Sequence, residues 1–379
     1  MKSVYLDNAA TTPLAPEVLE EMIPCLQNEF GNPSSTHAFG RQAKGILETA
    51  RRKVAGFLQA KPSEIIFTSG GSEADNMVFN IAVNQLGVER IITSSIEHHA
   101  VTHSAEHVHH TNHVELVLVR LTPNGHVDLS HLEELLQDER KKTLVSLMHG
   151  NNEIGNLLPL ENVSLLCQQH HAYFHSDTVQ SMAHYRFDLQ KTYIDFITCA
   201  AHKFHGPKGV GFLYINSHVK GSPLILGGSQ ERGLRAGTEN LYGIVGLAKA
   251  MELAYQDLEK HANYIQGLKS YMIEQLKLHI KGVGFHGDIT PANSLYTVLN
   301  VCLPETSKAS MLLFTLDLKG VAASGGSACA SGSNIGSHVL AGIKADMTKP
   351  NVRFSFSRYN TTEEIDYTIS VLKEIYEEK

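Results

Sequence analysis

Seven short apolar runs, most of them separated by longer stretches of helical character, constrain this chain's fold more than anything else in it. The runs are EIIFT (64–68), RIITS (90–94), VELVLV (114–119), TLVSLM (143–148), AYFHSD (172–177), YIDFITCA (193–200) and GVGFLYI (209–215). Antiparallel neighbours can be joined by two residues, but parallel strands need a crossover of a dozen or more, usually helical. Strand runs alternating with helical runs therefore imply βαβ units, an α/β fold and a mostly parallel sheet. Further on, Ile244, Leu247, Met251 and Tyr255 make one apolar stripe of a helix. Beyond about residue 260 the pattern becomes helix, strand (YTVLNV), helix, strand (NVRFSF), helix, which reads as a smaller α+β unit. The change falls within helices between 240 and 282. A chain of 379 residues is long enough for two such bodies.

Charge and cysteine usage narrow the class. A net charge of −7 argues against a dedicated nucleic-acid binder. No apolar run approaches membrane-spanning length, and the opening MKSVYLDNAATT lacks a leader's apolar core. Five scattered cysteines, at 25, 167, 199, 302 and 329, form no CxxC pair and suit a reducing compartment, so the cytoplasm is expected.

Four loops carry groups whose chemistry goes beyond packing. In TSGGSEADN (68–76), two glycines follow a strand and Ser72 is placed to cap the next helix. Free N–H groups and the helix dipole there favour an anion, though a plain strand-to-helix turn uses the same residues. Asp177 ends a buried run, and open α/β sheets gather ligands at the carboxyl ends of their strands. A carboxylate there needs a cation or strong hydrogen bonds, unless it is merely a helix cap. Gln180 follows one turn on. In CAAHKFHGPKG (199–209), Lys203 follows a strand end beside His202; an amine held out of bulk water becomes a nucleophile suited to a Schiff base. Lys208, in a Pro-Lys-Gly turn, reads as a surface charge. In SGGSACASGS (324–333), Cys329 stands among residues too small to pack against it, on backbone free to bend. A thiol works as its thiolate, so it needs access.

Together these motifs resemble the NifS/IscS-type cysteine desulfurases, fold-type I pyridoxal-phosphate enzymes of the class-V aminotransferase group. The resemblance runs in order through YLDNAATTP, FGNPSSTH, FTSGGSEADN, EHHAV, HGNNEIG, HSDTVQS, AHKFHGPKGVG, GGSQERGLRAGTEN, SGGSACAS and RFSFSRYNTTEEID. It implies a large domain over 16–258 with a seven-stranded, mostly parallel sheet, and a small domain of 1–15 and 259–379 carrying the cysteine loop at about 324–335. It implies pyridoxal 5′-phosphate bonded covalently to Lys203, with Asp177 pairing the ring nitrogen and His98 stacked on the ring. Asn152 and Gln180 would hold the ring oxygen, and Gly71, Ser72 and His202 the phosphate. Thr238 would reach the phosphate from the partner subunit of a homodimer. Arg353 would pair with the substrate carboxylate, helped by Asn32. Lys203 would move protons at Cα and Cβ of L-cysteine, and the Cys329 thiolate would attack the substrate sulfur. Alanine and a Cys329 persulfide would result. The persulfide sulfur would pass to an iron–sulfur scaffold or a protein of tRNA or cofactor thiolation. The same fold also serves selenocysteine lyases and other class-V enzymes; transamination needs no loop thiol.

Two departures stand out. The position two residues before His202, usually serine in the resembled family, is Ala200, which implies weaker cofactor retention. The sequence stops at Lys379, soon after the last helical run begins, where housekeeping relatives carry a scaffold-docking tail, so the acceptor is left open. Other signals point away from chemistry. GVGFHG (282–287) follows a helical run and leads into no helix, unlike a dinucleotide fingerprint. His99, His103 and His107 share a helix face, but with no Cys or carboxylate cluster they read as a solvated face without metal.

Overall fold

The computed structural model describes residues 3–306, 311–325 and 336–377; Cys329 lies outside them. Strand β1 (Val4–Tyr5) opens the chain, followed by helices α1 (Pro16–Asn28) and α2 (Ala38–Phe57). The main sheet is then laid down as β2 (Ile65–Thr68), α3 (Gly71–Asn84), β3 (Arg90–Thr93), α4 (His99–Asn112), β4 (Glu115–Leu118), α5 (Leu129–Leu136), β5 (Thr143–Ser146), α6 (Leu160–Gln169), β6 (Tyr173–Asp177), β7 (Phe196–Ala200) and β8 (Gly211–Ile215). Its seven strands lie in the order β2-β8-β7-β6-β5-β3-β4. Only β8 runs against its neighbours, β2 and β7. The expected seven-stranded, mostly parallel α/β sheet is what forms.

Burial explains why the strand runs were nearly unbroken in hydrophobicity. Strands β2, β3, β5, β7 and β8 are buried throughout, as a sheet covered by helices on both faces requires. Ile66, Ile91 and Leu144 pack toward α3 and α4; Ile65, Phe67, Ile92 and Val145 pack toward α1, α2 and helix α7 (Leu241–Gln256). The stripe Ile244, Leu247, Met251 and Tyr255 is the buried face of α7. VELVLV differs from its apolar appearance: β4 is the edge strand, and Leu118 is exposed.

Helix α8 (Leu258–His279) leads into β9 (Gly284–His286), β10 (Val298–Cys302), α9 (Leu312–Leu318), β11 (Val321–Ala322), α10 (His338–Gly342), β12 (Asn351–Ser355) and α11 (Thr362–Glu377). Strand β10 pairs antiparallel with β9 and β12, while β1 and β11 pair in parallel. A second apolar core joins Val4 and Leu6 to residues from α8, β10, β12 and α11. GVGFHG enters β9 and then a turn, so no helix dipole meets it. No helix among the described residues is long and apolar enough to cross a membrane.

Candidate active site

In a parallel sheet the carboxyl ends of the strands share one edge, and five of them open onto the same cavity here. The residues after β2, β3, β5, β6 and β7 supply Gly71 and Ser72, His98, Asn152, Asp177 and Gln180, and His202 and Lys203. Strand β12 adds Arg353 from the second core's side, and Ala9 and Ala10 also line this cavity of about 240 Å³. Nine of the twelve residues singled out in the sequence therefore line one space. Thr238 and Asn32 are exposed and outside its lining; the Asn32 Oδ1 instead accepts from Ser34 N in a turn at 2.9 Å. Cys329 is the twelfth.

The phosphate-type turn differs from the expected one in its cap. Ser72 lies inside α3, and the N-cap is Gly70, with φ at +155° and no side-chain cap bond. Glycine reaches that conformation readily, which lets the chain turn directly off β2. Gly71 has its own constraint: a Cβ there would stand 2.8 Å from Val179 Cγ2, on the neighbouring loop. The helix N–H groups thus stay close to the cavity, with the Ser72 hydroxyl beside them.

Lys203 Nζ donates to the carbonyls of Ala9 and, at 2.9 Å, Ala10. Gln180 Nε2 also donates to Ala9 O, at 2.9 Å. Asp177 is buried; its Oδ1 accepts from Val179 N at 2.8 Å. Burial first, and the Asp75 carboxyl second, push its pKa up to about 7. Asp75 is pushed to about 7 by burial as well. Ligand atoms of Asp75, His98 and Asp177 all lie within 4.8 Å of one another. Burial and the nearby Lys203 amine lower the His98 pKa to about 4, and its Nδ1 accepts from Ala100 N, so the neutral ring carries its proton on Nε2. His202 is likewise held neutral, at about 4, by burial and then by Lys203.

Some polar atoms are left over. Asn152 Oδ1 and Arg353 Nε are buried without a partner. The other guanidinium nitrogens are engaged: Nη1 donates to Asn152 O and Nη2 to Asp7 Oδ1, both at 2.8 Å. Two buried carboxyls side by side need a cation, since like charges cannot both ionise in a dry site. A protonated ring nitrogen supplies one, an anionic phosphate suits the α3 turn, and an aldehyde suits the Lys203 amine. Pyridoxal 5′-phosphate therefore fits the residues present. Asp75 is the residue that sequence reasoning missed. Its signal was its place one turn after Gly71 and Ser72, on the same helix.

His103 and His107 are exposed, as expected of a solvated helix face, while His99 is half-buried. His99 stacks on His103 at 4.8 Å between ring centroids and lies 4.2 Å from His338 of α10. Only the Asp75–His98–Asp177 group meets metal-ligand spacing among the described residues.

The fold and this site define a class-V aminotransferase: that family's model matches residues 4–368, and the chain belongs to it. Within that family it belongs with the IscS/NifS cysteine desulfurases. It is 42% identical to a cysteine desulfurase IscS of Dictyoglomus turgidum, over 99% of this chain and 95% of that protein. It is 42% identical to a putative cysteine desulfurase IscS 1 of Bacillus subtilis, over 96% of each. Among solved structures, a NifS-like protein superposes with a TM-score of 0.91 at 36% identity, covering 99% of this chain and all of that one. SspA in complex with cysteine superposes at 0.80 and 31% identity, covering 95% of this chain and 100% of that one. The family implies dependence on pyridoxal phosphate.

Two predictions concern residues of this cavity. The folded apoenzyme keeps the Asp177 proton up to about pH 7, whereas an ordinary carboxyl loses it near 3.8. That contribution to stability is complete below the lower value and is lost as pH rises through the upper one. Asn at 177 stays neutral throughout. In denaturant unfolding, apo Asp177→Asn should match wild type at pH 4 and exceed it by roughly 2–4 kcal/mol at pH 8. Ala200 lines the cavity with no hydroxyl to offer. Ala200→Ser should tighten pyridoxal phosphate about fivefold, the order of one neutral hydrogen bond, measured by titrating apoenzyme. Equal affinities would remove Ala200 from the account.

Proposed function

We infer that this chain is a cysteine desulfurase that removes sulfur from L-cysteine and leaves L-alanine. The observation that carries the reading is the meeting of an amine (Lys203), a buried acid (Asp177), a neutral imidazole (His98) and a guanidinium (Arg353) around one cavity. Bound pyridoxal phosphate supplies an electron sink for charge developing at the substrate's Cα. Lys203 would hold it covalently, Asp177 would face its ring nitrogen, and Gln180 and Asn152 its ring oxygen. Gly71, Ser72 and His202 would take its phosphate. The unpartnered Nε of Arg353 is a donor left for the substrate carboxylate.

Lys203 takes the proton from substrate Cα and delivers one to Cβ. His98, neutral with Nε2–H, offers a donor over the same cavity. Cys329 thiolate attacks the substrate sulfur: an S–S bond forms, the Cβ–S bond breaks, and Cβ gains a proton. The Cys329 persulfide then passes its outer sulfur to an acceptor thiol of an iron–sulfur scaffold or thiolation protein.

The reading includes a homodimer in the cytoplasm. Leu19, Ile23, Leu26 and Phe30 form an exposed apolar stripe along α1 and beyond, and Leu226 is 82% exposed near the exposed Thr238. A second copy would cover this surface and bring its Thr238 to the first copy's phosphate. A division near Leu258 belongs to the same reading, with 16–258 carrying the cofactor and 1–15 with 259–379 carrying Arg353 and the thiol segment. Reconstituted enzyme with L-cysteine and a thiol reductant should give alanine and sulfide in equal amounts. Alanine without sulfide, or neither, would overturn it.

A further inference from the structure

One oxygen of Asp7 serves two segments. Its Oδ1 accepts from Arg353 Nη2 at 2.8 Å and from the Ser324 hydroxyl at 2.7 Å. Ser324 and Arg353 are joined again through their backbones, Arg353 N to Ser324 O at 2.6 Å and the reverse at 3.3 Å. Asp7 is itself fixed: it bridges Ser355 of β12, and the Tyr5 hydroxyl donates to its carbonyl at 3.2 Å. The Arg353 side chain is 1% exposed, so it has no water to fall back on.

We propose that Asp7 is a positioning residue: its Oδ1 sets the plane of the Arg353 guanidinium for the substrate carboxylate and, through the Ser324 hydroxyl, ties that setting to the stretch of sequence that precedes Cys329. The proposal rests on Arg353 as the carboxylate site.

An arginine side chain has several rotatable bonds, and its fork recognises a carboxylate only when its plane is held. Two acceptors from different segments hold it here, Asn152 O on Nη1 and Asp7 Oδ1 on Nη2, with the buried Nε left without a partner. Asp7 also exerts a second effect of opposite sign. Its negative charge competes with the substrate's for the same guanidinium. An asparagine keeps an acceptor oxygen at the same place and removes the charge; an alanine removes both.

Holoenzyme variants separate the two effects. Asp7→Ala is expected to raise KM for L-cysteine about tenfold or more, with kcat changed less than about threefold, because ground-state positioning is lost. Asp7→Asn is expected to lower KM by about twofold, since less charge opposes the substrate. Hydrogen exchange in the peptide holding Ser324 should quicken about fivefold in Asp7→Ala and stay within about twofold in Asp7→Asn. A KM for Asp7→Ala within twofold of wild type at unchanged melting temperature overturns the proposal. So do equal KM increases in both variants. Should Asp7→Ala fail to fold, Asp7→Asn decides alone, and a raised KM there counts against it. Alanine production by wild type tests the desulfurase reading separately. A cysteine titration of the cofactor's absorbance reads the variants even if no alanine forms.

Discussion

Lys203→Ala should abolish alanine formation, lowering turnover by about four orders of magnitude or more, and the purified protein should lack the covalent cofactor's absorbance band. No other lysine lines the cavity among the described residues. His98 and His202 also line it, but an imidazole is not a primary amine and cannot form a Schiff base. The fold should survive. The Nζ bonds tie the Ala9 and Ala10 carbonyls, but the N-terminal segment keeps other ties to the same region. Thr12 Oγ1 donates to His202 O at 2.9 Å, His205 N donates to Thr12 Oγ1 at 2.7 Å, and Gln180 holds Ala9 O. The expected loss is about 1–2 kcal/mol in denaturant unfolding of the apo forms. Lys203→Arg should not restore activity, since a guanidinium keeps its proton at any working pH and cannot become a free amine. Turnover within tenfold of wild type in either variant would place the amine chemistry elsewhere.

What the sequence reveals of this site depends on how each residue is delivered. Asp177, Gln180, His202 and Lys203 follow strands whose apolar runs are visible, and parallel strands place their carboxyl ends together. Arg353 arrives from a separate core by tertiary packing, and only the motif resemblance linked it to the others. Ser72 shows the limit of cap rules: a serine after two glycines suits an N-cap, yet Gly70 takes the position because its backbone reaches a conformation serine disfavours. Asp75 and Asp7 were hidden for a related reason. Acids at a helix start or near a chain end are ordinary on a surface, and only burial turns the first into a partner of Asp177. Thr238 and Asn32 are exposed and away from the cavity, and only the motif resemblance singled them out.

The electrostatics explain why the acid pair and the amine share one cavity. Glu97, also buried, is pushed to about 8 by burial and then by its neighbours, Asp177 and Asp75 among them. Its oxygens are satisfied by Ser94 Oγ at 2.6 Å and Met148 N at 2.8 Å. That leaves Asp75 and Asp177 as the acids facing the space where a cation would sit. A positive ring nitrogen bound there would offset their cost to the apoenzyme, so stability and cofactor affinity would draw on the same two carboxyls.

Cys329→Ala should reduce sulfide release from cysteine by at least about a thousandfold while the cofactor band and its change on adding cysteine persist. The other four cysteines are poor substitutes. Cys25, Cys167 and Cys199 are buried and Cys302 is partly so. Burial pushes all four thiols above their ordinary range, Cys199 strongly, and the Asp177 carboxylate raises Cys199 further. The nucleophile in sulfur transfer is the thiolate, so a thiol that resists ionisation at neutral pH cannot take over. Cys329→Ser should be no better, because a hydroxyl cannot hold a persulfide sulfur. Mass spectrometry after one turnover should find one added sulfur atom on the wild-type peptide containing Cys329 and none on either variant. Retention of sulfide release by Cys329→Ala, with the extra sulfur appearing on Cys302 or another thiol, would move the acceptor role to that cysteine.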